Sequence, residues 1–502
     1  MGVVINQGVK SSIVNYIGVA IGTFNLLWVY PKFLEPDEIG LIRILLDLSF
    51  VMAALSQIGA PNIIDRFFPY FRNYEKKHEG FFMVFMVYPL LGFLTISILY
   101  VLFKDTWISI YEERSDRVND YFFQVLPLVF FIMYQNILEA YARVHLKIVL
   151  PGFVKEVFLR VWMLILILIY SLGLISFDAM ILFIIGSYGI AVIILLFYIK
   201  KLSRLYLTIP TFLNNKELLK NMFTFGMFVF LGNASFILAS RIDVLMIGSF
   251  EGLALTGVFS IAFFIGSVIE IPKRALSQIT VPLISQAWKE NDIEKIEELY
   301  KKSSLNQLII SLLVFLLIWL NIDLVFSLMP NTETYIVGKY VVLFIGLAKV
   351  VDMATGVNTE IILNSRFYRF NLALTLLLGL LMIGTNYVFI PKFGITGAAV
   401  ATFLSMIVFN LIKYLFLLMK IKIQPFSKET LVVLLFGGST YLILEFLFPN
   451  LSEELPIIIN IGLRSGFILM LFLGGCYLFK ISLEINSIID NSIKYINRKN
   501  RE

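Results

Sequence analysis

The stretch Val161–Tyr170, VWMLILILIY, decides the fold. It carries no charge, and its apolar side chains follow one another without the apolar–polar alternation of a membrane β-strand. Runs of the same character recur on either side of it, each near the roughly 20 residues a helix needs to cross a bilayer. Of the 502 residues 59% are hydrophobic and only 15% charged, more apolar surface than a water-soluble chain of this length can hide within itself. The sequence therefore predicts an all-α polytopic membrane protein with about 14 transmembrane helices.

Around that stretch the spans fall at 154–175 and 179–199, preceded by 12–31, 39–58, 80–103 and 121–141, a first group of six. A basic linker with Lys200, Lys201, Arg204, Lys216 and Lys220 leads to a second six at 221–247, 253–271, 304–329, 336–358, 371–390 and 395–419. Two more spans, 430–448 and 456–480, precede a polar tail with Asn497, Arg498, Lys499 and Arg501. The expected organisation is an N-terminal six-helix lobe over 1–205, a C-terminal six-helix lobe over 206–420, and two additional helices with the tail over 421–502. Phe33, Gly40 and Leu41 have counterparts in Phe250, Gly257 and Val258, each set at the start of the second helix of its group. Such an echo suggests a duplicated helical unit, a common way for transporters to build two halves.

The first apolar segment, Ser11–Tyr30, carries Asn15 and Asn25 and shows no small-residue cleavage site before Pro31, so it is expected to stay as the first span. With an even number of spans and the N-terminus inside, about two thirds of the 41 Lys and Arg residues fall in inner segments. The expected location is the bacterial inner (cytoplasmic) membrane, with both termini cytoplasmic. The outer turns are short, at Pro36 to Glu38, Glu251–Gly252 and Glu453–Glu454, and only Lys104 to Asp120 has room for more structure outside. The longest inner connection, Pro272 to Ser303, spaces Trp288, Ile293, Ile296 and Leu299 among charges in the manner of an interfacial amphipathic helix.

Charges inside a bilayer are costly and persist where they face a cavity or one another. Arg43 with Asp47 and Arg160 with Glu156 stand four apart, and Lys349 with Asp352 three apart, spacings that allow local pairs on one helix face. Arg241 and Asp243 are two apart and point in different directions, which leaves Arg241 the strongest cavity candidate. Lys155 and Lys413 lie near the inner ends of their spans and are expected to snorkel to water. Arg464, between Gly462 and Gly466, fits a structural or lipid-headgroup role. Arg43, Arg160, Arg241 and Lys349 together form an expected cationic path for an anionic cargo, since Arg grips phosphate through two parallel hydrogen bonds.

Asp47, Asp243 and Asp352, and beside them Glu139, Glu270 and Asp323, are the carboxylates that could take a coupling cation or proton. His78 and His145 fall in or near inner loops, away from any proton relay across the membrane. Gly18, Gly22, Gly226, Gly232, Gly248, Gly257, Gly266, Pro89 and Pro127 permit close helix packing or bending. Cys476 is the single cysteine, set in an apolar stretch and read as a small core residue. The sequence holds no phosphate-binding glycine loop ending in Lys-Ser or Lys-Thr, no His-Glu-x-x-His and no cysteine cluster. No cofactor, no metal and no catalytic residue is expected.

Three segments resemble a known family. Phe250–Phe263 (FEGLALTGVFSIAF), preceded by Arg241-Ile-Asp243-Val-Leu-Met-Ile-Gly248, is similar to the seventh-to-eighth helix hairpin of polysaccharide flippases. Pro391–Phe403 (PKFGITGAAVATF) resembles their eleventh-to-twelfth hairpin, and Tyr30-Pro-Lys-Phe-Leu with Gly40 their first. The family is the polysaccharide and O-antigen flippase branch of the multidrug/oligosaccharidyl-lipid/polysaccharide (MOP) exporter superfamily. The resemblance implies two six-helix lobes in a V around a central cavity, two extra helices and alternating access. It implies a cargo whose sugar-pyrophosphate head crosses a cationic cavity while the lipid tail stays in the bilayer. Its implied partners are a lipid-linked oligosaccharide and membrane lipids, with a polysaccharide polymerase and chain-length regulator beside it, and no nucleic acid.

Competing readings keep the same fold with another cargo, the peptidoglycan lipid precursor or cationic drugs, or replace transport by an oligosaccharide polymerase or ligase. A drug exporter calls for an acidic interior, and the enzymes call for a large outer loop. An accessory role within a polysaccharide assembly complex would also use the basic inner loops, which suit anionic lipid.

Overall fold

The computed structural model describes residues 2–73, 77–203, 210, 212–447, 456–487 and 489–491. Linker residue Arg204, the outer turn at Glu453 and Glu454, and tail residues Asn497, Arg498, Lys499 and Arg501 lie outside the described residues. The chain divides into two compact units, Met1–Ser260 and Ile261–Glu502.

The first unit opens with α1 (Gly2–Phe24), which continues through a π-turn at Asn25–Val29 and a last turn at Tyr30–Phe33. Then come α2 (Pro36–Ser56), α3 (Ala60–Phe71), α4 (Phe81–Leu102), α5 (Lys104–Tyr111) and α6 (Val125–Val144). Helix α7 (Leu159–Ser171) is entered through Val149–Phe153 and a second π-turn, Val154–Phe158. Helices α8 (Phe177–Ser203), α9 (Lys216–Phe250) and α10 (Leu253–Ser267) follow, α10 running across the division between the units. Helix α2 starts on a capping box, in which Glu38 accepts from the Glu35 N–H at 3.0 Å while Glu35 serves the helix start in return. It is buried along most of its length, including Leu41, Ile44 and Leu45, and packs on α9, α6 and α4.

The second unit contains α11 (Ile271–Glu290), α12 (Ile293–Trp319), α13 (Lys339–Ala354), α14 (Asn358–Leu363), α15 (Tyr368–Lys420), α16 (Lys428–Leu447) and α17 (Ile457–Ile468). Helix α17 continues through a π-turn to Leu478. Helix α15 is two spans: at Gly394 the backbone takes φ 57°, ψ −139°, a conformation that suits a residue without Cβ. Thr385 and Ser405 then meet at 3.1 Å and the rings of Phe370 and Phe416 stack at 3.8 Å, so the halves lie antiparallel. One core joins Leu308, Leu316, Met353, Val433, Ile468, Phe472 and Cys476 across α12, α13, α16 and α17.

Among the described residues eleven helices are long and apolar enough to cross a membrane by length and composition. Counting the two halves of α15 separately, and adding the π-interrupted helix that ends in α7 and the shorter α13, gives fourteen spans among the described residues. The all-α polytopic fold expected from hydropathy is the one observed.

The segment read as a lipid-surface helix behaves differently. Its first part is α11 and its last eleven residues are the opening turns of α12, with a break at Asn291. Ile284, Ala287, Ile296 and Tyr300 are buried in a protein core with Ile361 and Leu417. An apolar stripe has the same period whether lipid or protein covers it, and here protein does.

Candidate functional site

Helices α2 and α9 build the charged cluster of the first unit. Asp47, fully buried, faces Arg43 one turn earlier at 2.8 Å from its Nε, and its other oxygen takes the Arg241 guanidinium. Arg241 also lies over the Phe50 ring, 4.7 Å from its centroid. The Tyr188 hydroxyl is close enough to feel Arg241, Asp47 and Arg43. Two guanidinium groups thus share one carboxylate, and the cluster keeps a formal charge of +1. Both guanidiniums stay partly open, at 35% and 27% side-chain exposure, while the carboxylate between them is sealed. Such an arrangement holds two forks in place with hydrogen-bonding capacity to spare for an anion.

Arg160 is the second basic residue of this unit. Its guanidinium meets Glu156 at 2.7 Å on the same helix, as the spacing predicts. Its backbone carbonyl accepts from the buried Asn25 side chain at 2.8 Å, so the π-turn of the first span is tied to the start of α7. Gly18 and Gly22 make room for this: a Cβ on Gly18 would press on the Glu156 backbone, and one on Gly22 on the Arg160 guanidinium. Asp243 is buried on α9, and the carboxylate that pairs with Arg241 is Asp47. Lys155 lies 3.4 Å from Glu139 with nearly half its side chain exposed.

In the second unit a ladder replaces the pair expected on one helix. Lys349 binds Glu270, and Asp352 binds Lys273. Each helix alternates its charges three residues apart, and the rungs join opposite signs across the contact. Asp323, at the other end of the carboxylate set, pairs with Lys339 at 2.7 Å. Lys413, expected to snorkel, is instead completely buried, with its ammonium 2.8 Å from Thr359 Oγ1 and 3.3 Å from Asn358 Oδ1. The reason is α14, which turns the polar side chains of Asn358 and Thr359 inward and supplies acceptors where water would otherwise be sought. Arg464 donates to the Leu320 carbonyl at 3.1 Å.

The candidate residues therefore separate into two groups: Arg43, Asp47 and Arg241, with Arg160 beside Glu156, in the first unit, and Lys349 and Asp352 in the second. Sequence reasoning missed Lys273, Asn358, Thr359 and Asn410 as members of the second group. The i, i+3 alternation of Glu270 with Lys273, repeated in Lys349 with Asp352, was a legible sign of the ladder. Among the described residues no group of three or more His, Cys, Asp or Glu could hold a metal ion.

With fourteen spans, a paired start at Gly40 and Gly257 and a hairpin at Gly394, the fold is that of the MOP superfamily transporters. No protein-family model matches the sequence, and neither does any curated protein. Among solved structures the chain is similar to the lipid II flippase MurJ in its inward closed conformation, at 15% identity and TM-score 0.69, over 94% of this chain and 100% of that one. It is also similar to an inward-facing multidrug resistance MATE family transporter of the MOP superfamily, at 16% identity and TM-score 0.64, over 83% of this chain and 98% of that one. A MATE crystal structure in complex with MaL6 aligns at 18% identity and TM-score 0.54, over 83% and 96% of the two chains.

Proposed function

We propose that this protein is a transporter that flips a lipid-linked oligosaccharide, carried on undecaprenyl pyrophosphate, across the bacterial inner membrane for surface polysaccharide synthesis. The observation that carries the reading is the pair Arg43 and Arg241 on the single buried carboxylate Asp47. A net positive charge held inside membrane spans attracts a pyrophosphate and opposes the cationic drugs that an acidic interior would suit. Arg43 and Arg241 are the headgroup-binding residues in this proposal, with Arg160 and Lys349 as further cationic stations; of the coupling-ion candidates Asp47, Asp243 and Asp352, the first is held by the two arginines and the last by Lys273. The lobes 1–205 and 206–420, with two added helices, are proposed to work by alternating access, and the termini to be cytoplasmic.

The experiment is a leaflet assay in a deletion strain that lacks redundant flippases. Labelled lipid-linked oligosaccharide is expected to reach the periplasmic leaflet only when the intact protein is restored, and to fail with Arg241→Gln or Lys349→Gln. Normal accessibility without the protein would remove the transport reading, and normal flipping by both variants would remove the cationic cavity.

A second cargo, the peptidoglycan lipid precursor, draws support from one observation. The likeness to the lipid II flippase extends over 94% of this chain, against 83% for the MATE transporters. The same assay with labelled lipid II separates the two cargoes.

A further inference from the structure

Lys413 sits on the second half of α15, two turns from its C-terminal end, where a lysine would ordinarily extend its stem to water. It does the opposite. Its ammonium is surrounded by two neutral oxygens, Thr359 Oγ1 at 2.8 Å and Asn358 Oδ1 at 3.3 Å, and by the face of Phe409, whose centroid is 3.7 Å away. Among the described residues no carboxylate lies within 4.0 Å of it. Neutral oxygens and an aromatic face are the donors that hold a monovalent cation without a charged ligand.

The amides behind this shell are oriented by a chain of hydrogen bonds. Asn358 turns its oxygen to Lys413 and donates through Nδ2 to Asn410 Oδ1 at 3.1 Å and to Thr355 Oγ1 at 3.0 Å. Asn410 in turn donates to Asp352 Oδ1 at 3.3 Å, and the other oxygen of Asp352 takes Lys273. Each amide is fixed oxygen toward the cation and nitrogen toward the carboxylate. Without a cation at the Lys413 position Asn358 Oδ1 would keep only the Thr359 hydroxyl, 3.1 Å away, and Thr359 Oγ1 would lose its donor, deep in protein where an under-satisfied polar group is costly.

We propose that this cluster is a monovalent-cation site permanently filled by the chain's own Lys413 ammonium, so that no exchangeable Na⁺ or K⁺ binds there. Asp352, one of the carboxylates a coupling ion could use, is then balanced from within, by Lys273 directly and by Lys413 through two amides. Truncating the lysine empties a site built for a cation, and a small cation from solution should enter it.

The test is thermal unfolding of the purified full-length protein in detergent, at equal ionic strength in sodium, potassium, choline or methylammonium chloride. The wild type is expected to unfold at one temperature in all four salts. Lys413→Ala should unfold several degrees lower in choline, and methylammonium or Na⁺ should restore at least half of that loss. Lys413→Met fills the space without a charge, so it should be destabilised equally in every salt. A Lys413→Ala protein as indifferent to the cation as Lys413→Met overturns the assignment. If Lys413→Ala does not fold, the wild type and Asp352→Asn decide. Stabilisation of the wild type by Na⁺ or K⁺ over choline that Asp352→Asn loses would show an exchangeable ion and overturn the proposal, and its absence supports the tethered cation. No transport enters the readout, so failure of the flippase reading leaves this test intact.

Discussion

Gly40 and Gly257, the two glycines that correspond in the sequence echo between the halves, touch each other in the structure. A Cβ on Gly40 would meet the Leu253 carbonyl and come within 3.1 Å of the Gly257 nitrogen, and one on Gly257 would meet the Pro36 carbonyl and come within 3.2 Å of the Gly40 nitrogen. Both obstacles are backbone, so neither side chain nor rotamer can yield. Gly40→Ala and Gly257→Ala should each cost about 1–3 kcal/mol, the usual penalty of overpacking. Because the first substitution already separates α2 from α10, the double variant should cost less than the two losses together. Thermal unfolding of the three variants tests this, and strict additivity would show that the contact is not shared.

Asp47 holds two arginines, which makes the three members of its cluster unequal. Asp47→Asn leaves two guanidiniums facing each other without a counter-charge, and should cost about 3–5 kcal/mol, the range for breaking a buried ion pair from one side. Arg43→Gln or Arg241→Gln leaves Asp47 with one partner and should cost clearly less. Unfolding temperatures ordered Asp47→Asn lowest, with both arginine variants above it, are expected. An arginine variant less stable than Asp47→Asn would mean that the carboxylate is not the centre of the cluster.

Much of this architecture was legible in the sequence, and the gaps have physical reasons. Hydropathy places spans well because lipid demands long apolar helices, and the local pairs Arg43–Asp47 and Arg160–Glu156 follow from helical spacing. The bond from Arg241 to Asp47 joins residues 194 apart, which no local rule reaches. Lys413 was misread because distance from a span end measures access to water only when no neighbouring polar side chain turns inward, and Asn358 and Thr359 do. The segment 272–303 was misread because an apolar stripe does not name what covers it.

The ladder of the second unit predicts that sign pattern matters more than the identity of each residue. Lys349→Glu alone sets a carboxylate against Glu270 and beside Asp352 and should be strongly destabilising. Adding Glu270→Lys re-forms the rung with its charges reversed. The coupling recovered in the double variant should be about 1 kcal/mol or more, within the range for contacting charged residues, with allowance for the partial exposure of both side chains. No recovery on reversal would mean that the rung contributes through packing of the Lys349 stem alone.

The C-terminal end of α6 carries a pH signature outside the spans. His145 packs edge-on against Phe68, 5.0 Å between ring centroids, and beside Tyr141 at 5.1 Å. Burial, the Arg72 guanidinium and neighbouring His78 push its pKa down from 6.5 to about 4. In the unfolded chain the same imidazole takes its proton near the ordinary 6.5. Above that value both states are neutral and His145 contributes no pH dependence. As pH falls from 6.5 toward 4 the unfolded state binds a proton that the folded state refuses, so stability is lost through that window and levels off below it. His145→Gln removes the titration while keeping a polar side chain. The unfolding temperature of the wild type relative to His145→Gln should therefore be constant above neutrality and fall as the medium is acidified through this window. A difference between the two proteins that stays flat throughout would show that the imidazole protonates as readily in the folded chain as in the unfolded one.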